Sequence, residues 1–335
     1  MRILHVANFS IKKYAKVFYA TDKKISNGFI RNGDFVYEFS DRDIARMESI
    51  VRSKNLGRKA LNSALLKTVE NLQPDFLLLG HTDLLEEATL DRARKINPGL
   101  KIAQWFVDPL FEPHVRKHLF QRLPHLDAFF CTTAGDWLDP FRKINSSCYY
   151  LPNPVDDSIE SLKNDQRDTF LCDLIYCGID HKDPVRTRNL AELRQRLTNI
   201  NFCLHGSLGT KPIFGAAYLN ALANSKMGLN LSRRSDIPYY SSDRIAQLAG
   251  NGLLVFIPET PGFRDLFSDE EVVYFSTTED LFDRVTYYQQ NDERRKAIAC
   301  AGRNKAHASY NTQRIARFIS EATSKTPFSD AYEWT

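Results

Sequence analysis

Small hydroxyls, one arginine and one amide gather in the run Tyr239-Tyr240-Ser241-Ser242-Asp243-Arg244-Ile245-Ala246-Gln247, which passes through Gly250-Asn251-Gly252 into an apolar segment at 253–257. The pattern is a short helix, a glycine turn and a strand. In an α/β sheet such a helix starts at the carboxyl ends of the strands, where its free N–H groups and partial positive charge suit a phosphate. Arg244 adds a planar fork of donors that fits a diphosphate. Tyr240, Ser241 and Ser242 lie at the same junction, and either serine can cap the helix or donate to a phosphate oxygen. The plainer reading is a capped helix with Arg244 paired to a surface carboxylate. Gln247, one turn after Asp243, either binds a ribose or sugar hydroxyl or faces solvent.

Other strand ends carry candidates of the same kind. His205-Gly206-Ser207-Leu208-Gly209-Thr210-Lys211 closes a strand; its glycines permit close backbone approach, and Lys211 is a mobile point charge for phosphate. The loop lacks the spacing of a P-loop, and a simple turn is the competing reading. The run 178–186 ends another strand, and Arg186 reaches the same anion or belongs to a solvated loop. In the first half, Gly80-His81-Thr82-Asp83 follows a fully apolar strand. His81 has the chemistry of a general base near neutral pH, with Asp83 as its orienting partner or as the base itself. A helix cap at Thr82 or Asp83 is the structural alternative. Asp108, at the tip of Gln104-Trp105-Phe106-Val107-Asp108-Pro109, is a third candidate base. His114 and His118 share a helical face, yet no third ligand has motif spacing, so no metal site is expected. Asp41-Arg42-Asp43 has a DxD spacing, but is read as an N-terminal helix cap rather than as the end of a strand.

The elements that would position these residues alternate along the whole chain. Apolar strand candidates at 3–7, 35–39, 76–80, 101–107, 128–132 and 148–151 are separated by helical patterns, among them Leu61, Leu65, Leu66 and Val69 on one stripe. The alternation restarts at 174–178 and continues at 201–206, 227–231, 253–257 and 272–275, followed by a mostly helical tail. Continuous apolar strands between helices imply parallel sheets covered on both faces. Pro152-Asn153-Pro154 and the polar run 156–169 read as the crossing between two halves. The expected fold is therefore α/β, two facing Rossmann-like domains with a cleft between them. Their expected bounds are 1–155 and 170–315, with a helix or tail at 316–335.

With 335 residues, the chain is longer than a single core usually supports. A net charge of +4 is too small to argue for nucleic acid, though it leaves room for a basic patch against an anionic membrane. No run approaches the roughly 20 apolar residues of a membrane span, and the N-terminus reads as a first strand rather than a signal peptide. The six cysteines are scattered without a CxxC, as expected of reduced core thiols in a cytoplasmic protein.

From Tyr239 onward the sequence resembles the carboxyl domain of group 1-like glycosyltransferases of the GT-B fold, particularly the spore-maturation glycosyltransferase-like branch. The residues that carry the resemblance are Ser241-Ser242-Asp243-Arg244, Gln247, Gly252 and Pro261-Gly262-Phe263-Arg264-Asp265-Leu266-Phe267. It continues through Glu270-Glu271-Val272-Val273-Tyr274-Phe275, Glu279-Asp280-Leu281 and Tyr287-Tyr288 to Gly302 and His307-Ala308-Ser309-Tyr310-Asn311-Thr312-Gln313-Arg314. It is good over about 206–318 and only architectural before that. The resemblance implies sugar transfer from a nucleotide-activated donor, held by the second domain, to a carbohydrate or lipid-linked hydroxyl acceptor held by the first. It implies no cofactor beyond the nucleotide sugar as co-substrate, and often no metal. Many relatives carry glutamate where this chain has Gln247. That departure keeps two alternatives open: a nucleotide-sugar epimerase of the same build, and a nucleotide-sugar or glycan-binding protein of a surface-assembly complex. The expected site is the second-half set Arg186, His205, Gly206, Lys211, Tyr240, Ser241, Ser242, Arg244 and Gln247, with a base among Asp108, His81 and Asp83. The expected location is cytoplasmic, with peripheral contact at the inner face of the membrane left open.

Overall fold

A computed structural model describes residues 1–50, 52–180 and 183–335; His181 and Lys182, inside the 178–186 run discussed above, lie outside the described residues. The chain forms two compact units, Met1–Pro152 with Thr312–Thr335, and Asn153–Asn311. The polar run 156–169 belongs to the second unit. There Asn164 is fully buried and donates to the carbonyls of Leu222 (2.7 Å) and Ser225 (2.8 Å). The tail also has a home: the helix Thr312–Ser324 packs on the helix Thr21–Arg31 of the first unit.

The first unit is built on six parallel strands: β1 (Arg2–Ala7), β2 (Phe35–Ser40), β3 (Phe76–Leu79), β4 (Lys101–Phe106), β5 (Ala128–Cys131) and β6 (Cys148–Tyr150). Their spatial order is β2-β1-β3-β4-β5-β6. The run Phe76-Leu77-Leu78-Leu79 is buried along its whole length, as a central strand covered on both faces must be. Each such leucine contributes roughly 2 kcal/mol on leaving water. His5 lies inside this core, its imidazole driven down to about 3 by burial and then by Lys23. It is therefore neutral: Trp105 Nε1 donates to its Nε2 (3.1 Å), so Nδ1 carries the proton and donates to Ser26 Oγ (2.8 Å). That chain ties β1, β4 and the helix Thr21–Arg31 together.

The second unit has five parallel strands, β7 (Cys172–Cys177), β8 (Phe202–His205), β9 (Ser225–Leu229), β10 (Leu254–Pro258) and β11 (Val273–Phe275), in the order β11-β10-β9-β7-β8. Leu174, Tyr176, Met227, Leu229, Leu254 and Phe256 centre its core. In both sheets the second strand lies on one side of the first and all later strands on the other. The winding thus reverses between β1 and β3 in one unit and between β7 and β9 in the other. Doubly wound sheets bind ligands outside the carboxyl ends of the strands at this reversal, because the connecting loops diverge there and leave a crevice. All six cysteines are free; Cys131, Cys148 and Cys172 are buried and the other three half-buried. Among the described residues no helix is long and apolar enough to cross a membrane.

Candidate functional site

At the reversal point of the second sheet, β7 ends at Cys177-Gly178 and β9 is followed by Asn230-Leu231. Arg244 spans this gap. Its Nε donates to the Cys177 carbonyl (2.8 Å), its Nη1 donates to the Leu231 carbonyl (3.3 Å), and the guanidinium lies 4.8 Å above the Tyr176 ring. No carboxylate pairs with it among the described residues, so the surface ion pair of the plainer reading is absent. Two carbonyl dipoles and a ring face hold the group without cancelling its charge. Gly178 makes the approach possible: a Cβ there would stand 2.9 Å from Arg244 Nη2 and 2.5 Å from the Tyr176 hydroxyl.

The helix that Arg244 begins runs only to Gly250, seven residues, and its N-cap Asp243 makes no side-chain cap bond. Such a short helix adds little dipole, so an anion site here rests on the guanidinium. Ser241 does not point at a ligand. It is buried, exchanges hydrogen bonds with the Asn230 side chain (3.0 and 3.1 Å), and its carbonyl accepts from Asn153 Nδ2 (3.2 Å). The Ser242 hydroxyl, by contrast, is buried with no hydrogen-bond partner among the described residues. Tyr240 is buried. Gln247 neither faces solvent nor points at open space: its amide nitrogen donates to Asp243 Oδ2 (2.9 Å) and its carbonyl oxygen accepts from the Tyr218 hydroxyl. The amide suits that place because Asp243 needs a donor, which a carboxylate in its stead would not supply.

The loop after β8 packs beside this group. The Gly178 N–H donates to the His205 carbonyl (2.9 Å), and Gly206, at φ 88°, lies so close that a Cβ would be 2.7 Å from the Gly178 carbonyl oxygen. Asp180 pins the loop through the Ser207 hydroxyl and the Leu208 N–H (2.8 Å). The His205 imidazole is held below its ordinary range by burial, which disfavours an added charge at the site. Lys211 is exposed, with no ion pair or hydrogen bond among the described residues, and is available to an anion. Arg186 is not: it is buried, donates to the Ile179 carbonyl (2.7 Å) and pairs with Asp183 (3.6 Å), so it is held by its own neighbours. A pocket of about 220 Å³ opens alongside, lined by Leu229, Leu231, Pro258, Glu259, Thr260 and Thr277 among others. It is below the roughly 300–1,000 Å³ of sites that enclose a whole drug-sized ligand, so it accommodates a ring system rather than an entire nucleotide sugar.

In the first unit the three candidate bases separate into two groups. His81 Nδ1 is 3.0 Å from Asp108 Oδ2, and its ring stacks on Phe106 with centroids 5.2 Å apart. Asp83, expected as its partner, is taken by Arg42 (3.1 and 3.2 Å) and Lys54 (3.2 Å). Burial alone would raise the Asp83 carboxyl, but those two cations outweigh it and hold it below the usual carboxylate range. An acid so paired is a poor base. His81 follows β3 and Asp108 follows β4, so the dyad stands at the carboxyl end of the sheet beside the reversal point. The Asp41-Arg42-Asp43 run, read as a cap alone, directly follows β2 and lies at that same end. Asp41 is fully buried with one carboxyl oxygen unpartnered, and burial pushes it up to about 6. Arg122 was not legible as part of this site. Fully buried, it donates to the Thr82 carbonyl and hydroxyl (both 2.9 Å) and to the Leu85 carbonyl (2.7 Å), pairs with Glu87 (3.2 Å), and so fixes the loop that carries His81. One arginine on an amphipathic helix gives no sequence signal for that role.

Residues 186–321 match the glycosyl transferase-like family. No curated protein matches the chain in sequence. Among solved structures the chain is similar to sucrose-phosphate synthase from Thermosynechococcus elongatus, with a TM-score of 0.62 and 9% identity, covering 97% of this chain and 99% of that one. It is also similar to Anabaena HepE in complex with UDP-glucose, with a TM-score of 0.55 and 11% identity, covering 97% and 100%. A putative UDP-N-acetylglucosamine 2-epimerase from Listeria monocytogenes shares the architecture more weakly, with a TM-score of 0.51 and 10% identity, covering 98% and 97%. At such identities these likenesses establish the fold, that of the GT-B glycosyltransferases.

Proposed function

We infer, from the glycosyl transferase-like domain that this chain carries, that the protein moves a sugar from a nucleoside-diphosphate donor to a hydroxyl acceptor. The spore-maturation branch suggested by the sequence is part of this proposal, as is a carbohydrate or lipid-linked acceptor met at a membrane surface. The observation that carries the reading is Arg244, a guanidinium with no carboxylate partner among the described residues, at the reversal point of the second sheet. The donor diphosphate would lie against it, with Lys211 and the Ser242 hydroxyl within the same group of loops and the base in the pocket beside Leu231. As the glycosidic bond breaks, negative charge grows on the leaving phosphate oxygen. A cation already in position stabilises that charge with little reorganisation.

The first unit would supply the acceptor chemistry. Asp108 holds the Nδ1–H of His81, leaving Nε2 with its lone pair for the acceptor proton. The acceptor oxygen then forms its bond to the anomeric carbon, the bond to the phosphate oxygen breaks, and the nucleoside diphosphate leaves with the electron pair. Where configuration inverts, His81 takes the proton; where it is retained, the dyad positions the acceptor hydroxyl. The residues named here include no metal-ligand set, and a metal-independent course is part of the proposal.

The likeness to a putative epimerase supports a second reading, isomerisation of a nucleotide sugar without any acceptor. One experiment separates the two: a thermal-shift screen of nucleoside diphosphates and their sugars, followed by incubation of the stabilising donor with and without an acceptor panel. Transfer requires a new glycoside that forms only with acceptor. An isomeric nucleotide sugar formed without acceptor overturns transfer, and binding without turnover in either arm points to a carrier or sensor of nucleotide sugars.

A further inference from the structure

We propose that the rim of the first unit formed by residues 8–20 and by the described residues of 46–59 is a docking surface for an anionic lipid bilayer. The proposal deepens the acceptor reading above by naming the surface that would bring a lipid-borne hydroxyl to His81. Position, exposure and charge identify the surface independently of that reading.

Two bonds place both segments at the carboxyl end of the sheet. The Ile11 N–H donates to Asp43 Oδ2 (2.7 Å), and Lys54 (3.2 Å) pairs with Asp83, two residues from His81. The loop after β1 is turned outward. Ser10, Tyr14 and Ala15 adopt left-handed backbone at φ 52°, 49° and 62°, a conformation that costs non-glycine residues about 1 kcal/mol or more each. The six residues from Ile11 to Lys16 are all exposed, with Ile11 at 65% and Tyr14 at 91%. The second segment adds Met47 (69%), Ile50 (fully exposed) and Leu56 (72%). Large side chains this open gain little from the fold.

Charge is concentrated in the same place. The two segments hold eight Lys or Arg against a single Glu, a surplus of seven, whereas the whole chain has a surplus of four. Everything outside the rim is therefore net negative. Arg46, Lys54 and Arg58 are paired with Asp43, Asp83 and Glu86, but Lys12, Lys13, Arg52 and Lys59 make no ion pair among the described residues. Basic residues alternating with exposed aliphatic and aromatic tips suit the interface of an anionic bilayer, where the tips enter the acyl boundary and the ammonium groups meet headgroups. A purely ionic partner such as a polyanionic glycan leaves Ile11, Ile50 and Leu56 in water. A second copy of the same rim brings like charges together.

The test is co-sedimentation of the full chain with vesicles of phosphatidylglycerol and phosphatidylcholine, against vesicles of phosphatidylcholine alone. Binding should require the anionic lipid and fall at least tenfold between 0.1 and 0.5 M salt, by roughly the screening expected of surface charges. Lys12→Gln, Lys13→Gln and Lys16→Gln together should weaken it by roughly 100-fold, each lysine near the surface being worth about fivefold. A Tyr14→Trp variant should show a blue-shifted emission on the vesicles, which an ionic contact without insertion would not give. No preference for anionic vesicles overturns the proposal, as does tight binding to a soluble polyanion with no blue shift, or self-association through this rim. Nucleoside-diphosphate binding is measured on every variant and should be unchanged. Loss of that signal in the unaltered protein would count against the donor reading, while vesicle binding is read independently.

Discussion

Replacing Arg244 tests the donor site most directly, and the structure sets the size of the effect. A guanidinium has five N–H donors; the Cys177 and Leu231 carbonyls use two, leaving three for a ligand. One charge-assisted bond to phosphate is worth about 1.5–3 kcal/mol. Arg244→Ala should therefore weaken binding of the preferred nucleoside diphosphate by roughly 10- to 150-fold at 25 °C. Arg244→Lys keeps the charge but loses the fork, and should fall between the two proteins. The side chain also braces two loop ends, so the alanine variant should lose about 1–3 kcal/mol of stability, and titrations belong well below its melting temperature. The assay is isothermal titration with the diphosphate, the monophosphate and the bare nucleoside. The loss should be large for the diphosphate and near zero for the nucleoside. Equal losses for both would show that the arginine only props the loops, and a loss below threefold for the diphosphate would refute an anion contact altogether.

His81→Ala should lower turnover by roughly 10²–10⁴-fold and leave donor affinity unchanged, with Asp108→Asn smaller but in the same direction; steady-state kinetics separate turnover from binding. Gln247→Glu would set a second carboxylate against Asp243 while keeping the Tyr218 bond. Both acids would then titrate above their unfolded range, so the variant should lose about 1–3 kcal/mol at pH 8, a loss that thermal melts should show shrinking at pH 5. Asp41, raised to about 6 by burial and by Asp83 against the pull of Arg42 and His81, follows the same sign. Its favourable contribution is present below the unfolded carboxylate range and is lost as pH rises through about 6. Asp41→Asn should accordingly be more stable than the unaltered chain at pH 8, by about 1–3 kcal/mol, with no advantage at pH 4, as read by denaturant melts at the two pH values.

The strands were legible because a buried parallel strand is a continuous apolar run, and the short runs expected at 76–80 and 253–257, each bounded by proline or glycine, overlap the observed strands Phe76–Leu79 and Leu254–Pro258. The helix Thr21–Arg31 was not, because its stripe is interrupted by Gly28, which ordinarily counts against a helix. Tertiary contact explains the glycine: a Cβ at Gly28 would be 2.0 Å from the Thr312 carbonyl oxygen, so only glycine lets the two helices meet. The same physics limited the reading of the site. Residue type and strand-end position singled out Arg244, His81 and Asp108. Nothing in spacing revealed that Arg186, Ser241 and Gln247 would be consumed by neighbours, or that Asp83 would be claimed by Arg42 and Lys54 from distant segments. Partners far apart in sequence decide whether a polar side chain is free to act.

The closing helix belongs to the opening unit. Arg31 and Asn32 bond to Thr312 (3.1 Å) and to the Gln313 carbonyl (2.9 Å), and Phe318 packs on Phe130 and Tyr149, both at 5.6 Å between centroids. During synthesis the middle of the chain is complete and able to fold first, while the sheet made earliest waits for residues 312–335 to leave the ribosome. A message truncated near Asn311 would thus yield a product with its second unit intact and the aromatic flank of its first unit bare, a substrate for chaperones and proteases. Synthesis through residues 312–335 is in this way a condition for assembling the unit that is made first.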